Sequence, residues 1–120
     1  MKTIDAGKLQ EALREFSRVR EWDQFHSVKN LSTALVVEVA ELAEIFQWRS
    51  EEDSNRAHEN PMLKGKIAEE LADVFGYLLI IADKCEIDLN SALESKIRIN
   101  AEKYPVSLSR GNAKKYTDFD

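Results

Sequence analysis

The chain has 120 residues, of which 43% are hydrophobic, and a formal net charge of −5. This length and composition predict one domain with a hydrophobic core and exclude a wholly disordered chain. The acidic balance argues against a nucleic-acid binder, the single Cys excludes an intramolecular disulfide framework, and no apolar run is long enough to span a membrane. Because the first residues lack the apolar region of a secretory signal, a soluble cytoplasmic protein is expected.

Hydrophobic periodicity predicts four main helices and no strand, beginning with two helices in the first half of the chain. The first is expected over residues 5–22, with Asp5 as its N-cap. The second is expected over residues 30–48, with Asn30 as its N-cap. Residues 49–59 are polar and irregular, which is typical of a loop with at most a short helical turn.

The second half of the chain predicts two more helices. The third begins at Asn60, which is followed by Pro61 at the first helical position, and continues to about Cys85. Cys85 continues the apolar arc of this helix and is therefore expected in the core. The fourth covers residues 88–104 and stops before Pro105, because proline cannot continue a helix comfortably.

The four helices together predict an all-α fold with a four-helix bundle. We expect a helical domain over residues 1–105. Residues 106–120 form a basic C-terminal tail, which is expected to belong to the same domain or to be partly ordered.

Acidic side chains occupy the faces of the second and third helices that should be apolar. At about 100° per residue, Glu38 falls inside the apolar arc of the second helix and Glu41 falls at its edge. Glu44 falls on the opposite side. On the third helix, Glu70 and Asp73 flank the apolar arc. Because each pair is spaced i, i+3, both of its carboxylates can reach one point.

The four carboxylates predict a metal site. A buried carboxylate is costly unless it is paired, protonated or bound to a metal. Oxygen ligands on rigid helices suit Mg²⁺, with Mn²⁺ as the other candidate. The alternative is that these acids pair with Lys or Arg at a helix–helix contact. Two E-x-x-E-like pairs on adjacent helices favour the metal, whereas one pair alone would not.

Aromatic residues lie at helix ends or beside these carboxylates. Trp22, Phe25, Trp48 and Tyr77 can together form the walls of a slot for a flat base. The alternative is that they are ordinary core residues. His26 can donate a hydrogen bond to a ligand or cap a turn.

Two long motifs resemble the MazG-type all-α nucleoside triphosphate pyrophosphohydrolases. They are WDQFH at residues 22–26 and LVVEVAELAEIFQW at residues 35–48. The likeness covers about residues 13–116, and the single-domain dCTP pyrophosphatases look most similar. The other matching segments are EELADV (69–74), KIRIN (96–100) and KYP (103–105).

The resemblance implies an activity and assigns roles to residues. It implies hydrolysis of a dNTP to the dNMP and pyrophosphate, with Mg²⁺ as the cofactor. The implied metal ligands and catalytic residues are Glu38, Glu41, Glu70 and Asp73. The residues implied near the base and sugar are Trp22, His26, Trp48 and Tyr77. The implied phosphate-side residues are Lys29, Lys96, Asn100 and the tail cations Arg110, Lys114 and Lys115.

The resemblance also implies a homodimer or a homotetramer built from dimers, with sites made by more than one chain. One departure is visible, because some relatives carry His in the first helix where this chain has Leu13. Base and sugar preference therefore stays open. So do the number of metals, the identity of the general base, and the choice between housecleaning and control of the nucleotide pool.

Two other functions compete with the enzyme. A non-catalytic module that binds nucleotide or metal would keep the carboxylates and aromatics but release no pyrophosphate. A structural oligomerisation partner would explain the apolar stripes but not Glu38 within one of them.

Overall fold

The computed structural model describes residues 2–119, and this range contains helices and turns with no strand. The all-α prediction is therefore confirmed. None of the helices in this range has the length and apolar character needed to cross a membrane. The six α-helices are α1 (Ala6–Val19), α2 (Val28–Phe46), α3 (Glu51–Asn55), α4 (Pro61–Lys84), α5 (Leu89–Lys103) and α6 (Val106–Ser109).

Local capping residues set where most of these helices begin. A free backbone N–H in the first turn finds an acceptor in the side chain of Asp5 for α1, Asn60 for α4 and Asp88 for α5. Asn60 Oδ1 accepts from two backbone N–H groups, those of Met62 and Leu63, at 3.1 and 3.2 Å. The predicted starts of these three helices are confirmed, because capping depends only on neighbouring residues.

The predicted boundaries of α2 are wrong at both ends. Ser27 rather than Asn30 is the N-cap, because Ser27 has extended backbone angles and its Oγ accepts from the Asn30 N–H at 3.0 Å. At the other end, α2 stops at Phe46, so Trp48 lies beyond it in a turn. The predicted end of α1 at Trp22 is also late, because α1 stops at Val19.

The contacts of the chain divide it into one unit that ends at Glu86 and a second that begins at Ile87. In the first unit, α4 packs against both α2 and α1. The largest fully buried side chains are Leu31 on α2 and Leu79 on α4. Cys85 is exposed rather than in the core, because α4 ends one residue before it.

The second unit contains α5, α6 and a final turn at Tyr116–Asp118. The Tyr104 ring packs edge to face against Tyr116 and Phe119, with centroid distances of 6.0 and 5.8 Å. The tail after Pro105 therefore folds back on the end of α5. The assignment of residues 1–105 and 106–120 to one domain stays a prediction.

Candidate functional site

Three carboxylates from two helices meet on the first unit. Glu38 and Glu41 of α2 and Glu70 of α4 each place one oxygen so that the three oxygens lie within 4.8 Å of one another. Glu38 and Glu70 are half-buried, and the Oε2 atom of each is buried without a hydrogen-bond partner in the described structure. Such oxygens need a proton or a cation, because burying an unpaired charged oxygen is costly.

Crowding of these acids changes their protonation. Burial, then the neighbouring Glu41 carboxyl and the charges of Asp73 and Glu70, raises the pKa of Glu38 from 4.5 to about 7. Burial and then the charge of Glu41 also raise the pKa of Glu70. Asp73 lies outside the three-oxygen cluster, but its charge acts on both Glu38 and Glu70.

Nothing among residues 2–119 neutralises the cluster with a basic side chain. The ion pairs of this range join Arg14 to Asp83, Arg18 to Glu15 and Arg56 to Glu59. The alternative of a helix–helix salt bridge at Glu38, Glu41 and Glu70 therefore finds no support. Unpaired oxygens and an all-carboxylate donor set instead fit a hard divalent cation.

A groove of about 220 Å³ lies between the end of α1 and the middle of α4. It brings together three residues predicted near a base, Trp22, His26 and Tyr77, with Asp73. The remaining lining residues are Leu13, Phe16, Ser17, Ala72, Gly76 and Ile80. A slot with aromatic walls and a carboxylate at its edge is suited to a nucleotide whose base stacks inside.

The walls of the groove contact one another. The Trp22 and His26 rings meet edge to face at a centroid distance of 6.3 Å. His26 is half-buried, and its Nδ1 atom is buried with no hydrogen-bond partner in the described range.

The other predicted substrate residues lie outside this groove. The Trp48 side chain is 90% exposed and does not line it. Lys29 is exposed in the first turn of α2. Lys96 and Asn100 are exposed on α5, in the second unit. Their roles stay predictions.

Sequence reasoning missed Phe16 of α1 and the small residues on α4. Phe16 lines the groove beside Trp22, and Ala72 and Gly76 flank Asp73 and Tyr77 on α4. A usable signal existed for the small pair, because two small residues spaced i, i+4 leave a depression on one helix face. Phe16 gave no such signal, since it belonged to an ordinary helical stripe.

A family model for the MazG-like family matches residues 33–119 of this chain. The chain belongs to the MazG-like family. The chain in the crystal structure of a pyrophosphatase from Archaeoglobus fulgidus shares 40% sequence identity with this chain and superposes on it with a TM-score of 0.77. That likeness covers 88% of this chain and 96% of the other, and it supports the expected type of all-α fold.

Curated relatives of this MazG-like chain carry the name dCTP pyrophosphatase 1. The rat protein (Rattus norvegicus) is 48% identical and the human protein (Homo sapiens) is 43% identical, each over 104 residues. These matches cover 87% of this chain and 61% of each relative. The chain thus spans about three fifths of the length of these relatives.

Proposed function

We propose that this chain is a Mg²⁺-dependent nucleoside triphosphate pyrophosphohydrolase that converts dCTP or a related dNTP to the monophosphate and pyrophosphate. The observation that carries the proposal is the cluster of Glu38, Glu41 and Glu70, which has unpaired buried oxygens and lies on the helix pair next to an aromatic groove. The names of the curated relatives and membership of the MazG-like family support the choice of reaction.

The charge and exposure of the four carboxylates support the roles that we assign to them. Glu38, Glu41, Glu70 and Asp73 would hold the cation. When bound, a divalent cation neutralises phosphate oxygens and lowers the pKa of its water. Glu41 is the exposed member of the cluster, so its carboxylate is the candidate to accept a proton from the attacking water. Phosphoryl chemistry needs positioning and charge neutralisation more than covalent help, which this all-carboxylate site can give.

The remaining residues bind the rest of the nucleotide. We assign Trp22, His26 and Tyr77 to the base and sugar, because they line one groove beside Asp73. Trp48 is kept as a base contact, and Lys29, Lys96 and Asn100 are kept as phosphate contacts. Trp48 lies outside the groove of a single chain, so its role requires a homodimer or homotetramer that shares sites between chains. A cytoplasmic location also belongs to this proposal.

A panel of nucleotides with Mg²⁺ and product identification tests the proposed reaction. Each NTP and dNTP is incubated with the protein, and the products are separated by ion-exchange chromatography. We expect dCTP to yield dCMP and pyrophosphate, and EDTA to stop the reaction. Binding of dCTP without any pyrophosphate would favour the non-catalytic nucleotide module, and release of dCDP and phosphate would contradict the assigned bond cleavage.

A pair of matched variants tests the metal site. Glu38→Gln should lower kcat/KM for dCTP by more than about a hundredfold, because it removes a ligand that orients both cation and substrate. Glu44→Gln is the control, since Glu44 lies on the same helix but is exposed and outside the cluster. Both variants are assayed at saturating Mg²⁺, and an equal loss in the two would show that the cluster has no special role.

A further inference from the structure

The end of α1 is a capping turn that contains a non-glycine residue in the left-handed region. Glu21 has a φ of 55°. The Glu21 N–H donates to the Arg18 carbonyl at 3.1 Å, and the Trp22 N–H donates to the Ser17 carbonyl at 3.0 Å. These two bonds define a Schellman motif, which usually has glycine at the left-handed position. The motif turns the chain so that Trp22 returns towards the last turns of α1.

Phe16 receives the returning Trp22 side chain. The two rings meet edge to face, with centroids 5.7 Å apart and planes at 71°. This is the apolar contact that often accompanies a Schellman motif, between the second residue after the cap and the fourth-last helical position. Trp22 is 44% exposed and Phe16 is 46% exposed, so neither ring is held by full burial in the core.

Arg20 makes two further contacts with Phe16. Its guanidinium carbon lies 3.6 Å from the centroid of the Phe16 ring, and its Nη1 donates to the Phe16 carbonyl at 3.0 Å. A guanidinium over an aromatic face is attractive, and the carbonyl bond fixes where the guanidinium lies. Arg20 does not line the groove, whereas Phe16, Trp22 and His26 do.

We propose that Arg20 and Phe16 are positioning residues that hold the Trp22 indole as a preformed wall of the nucleotide groove. The contacts form a chain from Arg20 through Phe16 and Trp22 to His26. This inference rests on the proposed function, because the groove is assigned to the base. A preformed wall lowers the entropy lost when the base binds, so losing the restraint weakens binding and leaves the chemical step unchanged.

Arg20→Met is the decisive variant, because Arg20 contacts Phe16 but does not line the groove. We expect KM for dCTP to rise about three- to tenfold with kcat within about twofold of the parent, which is about 0.7–1.4 kcal/mol at about 1.4 kcal/mol per decade. Arg18→Met is the matched control, since Arg18 carries the same charge two residues before Arg20 and pairs with Glu15 instead. The control should keep the parental KM.

Variants of Phe16 separate the ring contact from side-chain volume. Phe16→Leu removes the ring and should raise KM for dCTP more than Phe16→Tyr, which keeps the aromatic face. Far-UV circular dichroism checks that each variant is folded. If Phe16→Leu does not fold, Arg20→Met alone decides, since Arg20 is an exposed side chain.

A spectroscopic measurement tests the positioning without catalysis. The near-UV circular dichroism of Trp22 is the component lost in Trp22→Phe, and Arg20→Met should reduce that component while Arg18→Met should not. A parent that releases no pyrophosphate would refute the proposed function, and this spectrum would still test the restraint on Trp22. Parental KM together with parental near-UV intensity in Arg20→Met would overturn the inference, as would a fall in kcat with KM unchanged.

Discussion

The Glu38 carboxyl destabilises the metal-free fold when it is charged. It shares its site with Glu41 and Glu70, and no Lys or Arg within residues 2–119 forms an ion pair with any of the three. Burial is the first cause of its raised pKa, and the Glu41 carboxyl is the next. A cation that binds only the folded state removes this cost and adds its own binding energy to stability.

The raised pKa of Glu38 predicts how metal-free stability depends on pH. The folded state holds the proton up to about pH 7, whereas the unfolded state loses it near 4.5. Below pH 4.5 both states are protonated and Glu38 has no effect. As pH rises through the window from 4.5 to 7, the unfolded state gains stability relative to the folded state.

Urea unfolding in EDTA measures this effect as the difference between Glu38→Gln and the parent. We expect the stability advantage of Glu38→Gln to grow from pH 5 to pH 7.5, because only the parent becomes charged at this site. Subtracting the two proteins cancels the titrating groups that do not interact with Glu38. An advantage that is independent of pH would mean that Glu38 titrates normally, and a Glu38→Gln variant less stable than the parent would favour a salt bridge.

The sequence predicted these acids because the relevant information is local. Counting residues along the second helix places Glu38 inside its apolar arc. The same count along the third helix places Glu70 at the flank of its apolar arc. Phe16 could not be found, because its contact with Trp22 depends on the left-handed angle of Glu21, a residue type that rarely adopts it. A turn of this kind is normally predicted from glycine.

One apolar arc does not predict which residues of α4 are buried. At about 100° per residue, Leu71 and Leu78 fall on one apolar arc of this helix and would be expected in the core. They are 50% and 40% exposed, whereas Leu79 and Ala82 are buried. The error has a physical reason, because α4 contacts both α1 and α2 and therefore has two packing faces. One hydrophobic direction cannot describe a helix with two neighbours.

Two glycines of α4 give a matched test of the groove. A Cβ atom built at Gly76 or at Gly65 meets no atom within 4 Å, so both sites have space for a side chain. Only Gly76 lines the groove. Gly76→Leu should raise KM for dCTP at least about tenfold by filling the space for the base, whereas Gly65→Leu should leave KM unchanged.

Thermal melting completes the comparison of the two glycine variants. Both should melt at or above the parental temperature, because Leu has a higher helix propensity than Gly by roughly 0.5–1 kcal/mol. A Gly76→Leu protein with improved melting and parental KM would remove the groove from substrate binding. Gly65→Leu with a raised KM would show that the effect is not specific to the groove.

Across residues 2–119, more large apolar side chains are exposed than are buried. The buried hydrophobic side chains are Leu31, Ala57, Leu63, Leu79 and Ala82. Many large apolar residues remain exposed, including Val36 and Val37 of α2 and Trp48 after it. Exposed apolar area of this extent is typical of a surface that another chain covers. The sequence also predicts this surplus, because Val36 and Val37 fall outside the main apolar arc of the second helix. Periodicity does not show which chain covers them.

Trp48 is the residue through which we expect assembly to affect catalysis. Its 90% exposure argues against a core role, for which Trp→Ala would cost about 3–5 kcal/mol of stability. We expect Trp48→Ala to melt like the parent and to raise KM for dCTP about ten- to hundredfold, because stacking on a base contributes roughly 1–3 kcal/mol. Light scattering should give a mass of at least twice the 13.7 kDa of one chain.

Mixing two defective variants tests whether Trp48 serves the site of a partner chain. Glu38→Gln lacks a metal ligand and Trp48→Ala lacks the stacking residue, so neither homo-oligomer contains an intact site. If each site combines the carboxylates of one chain with Trp48 of another, random mixed dimers restore about a quarter of the intact sites. The measurement is kcat/KM for dCTP before and after the mixture is unfolded and refolded together. Activity that stays at the average of the two separate variants would place Trp48 on its own chain's site or outside the site, and a monomeric mass would exclude sharing altogether.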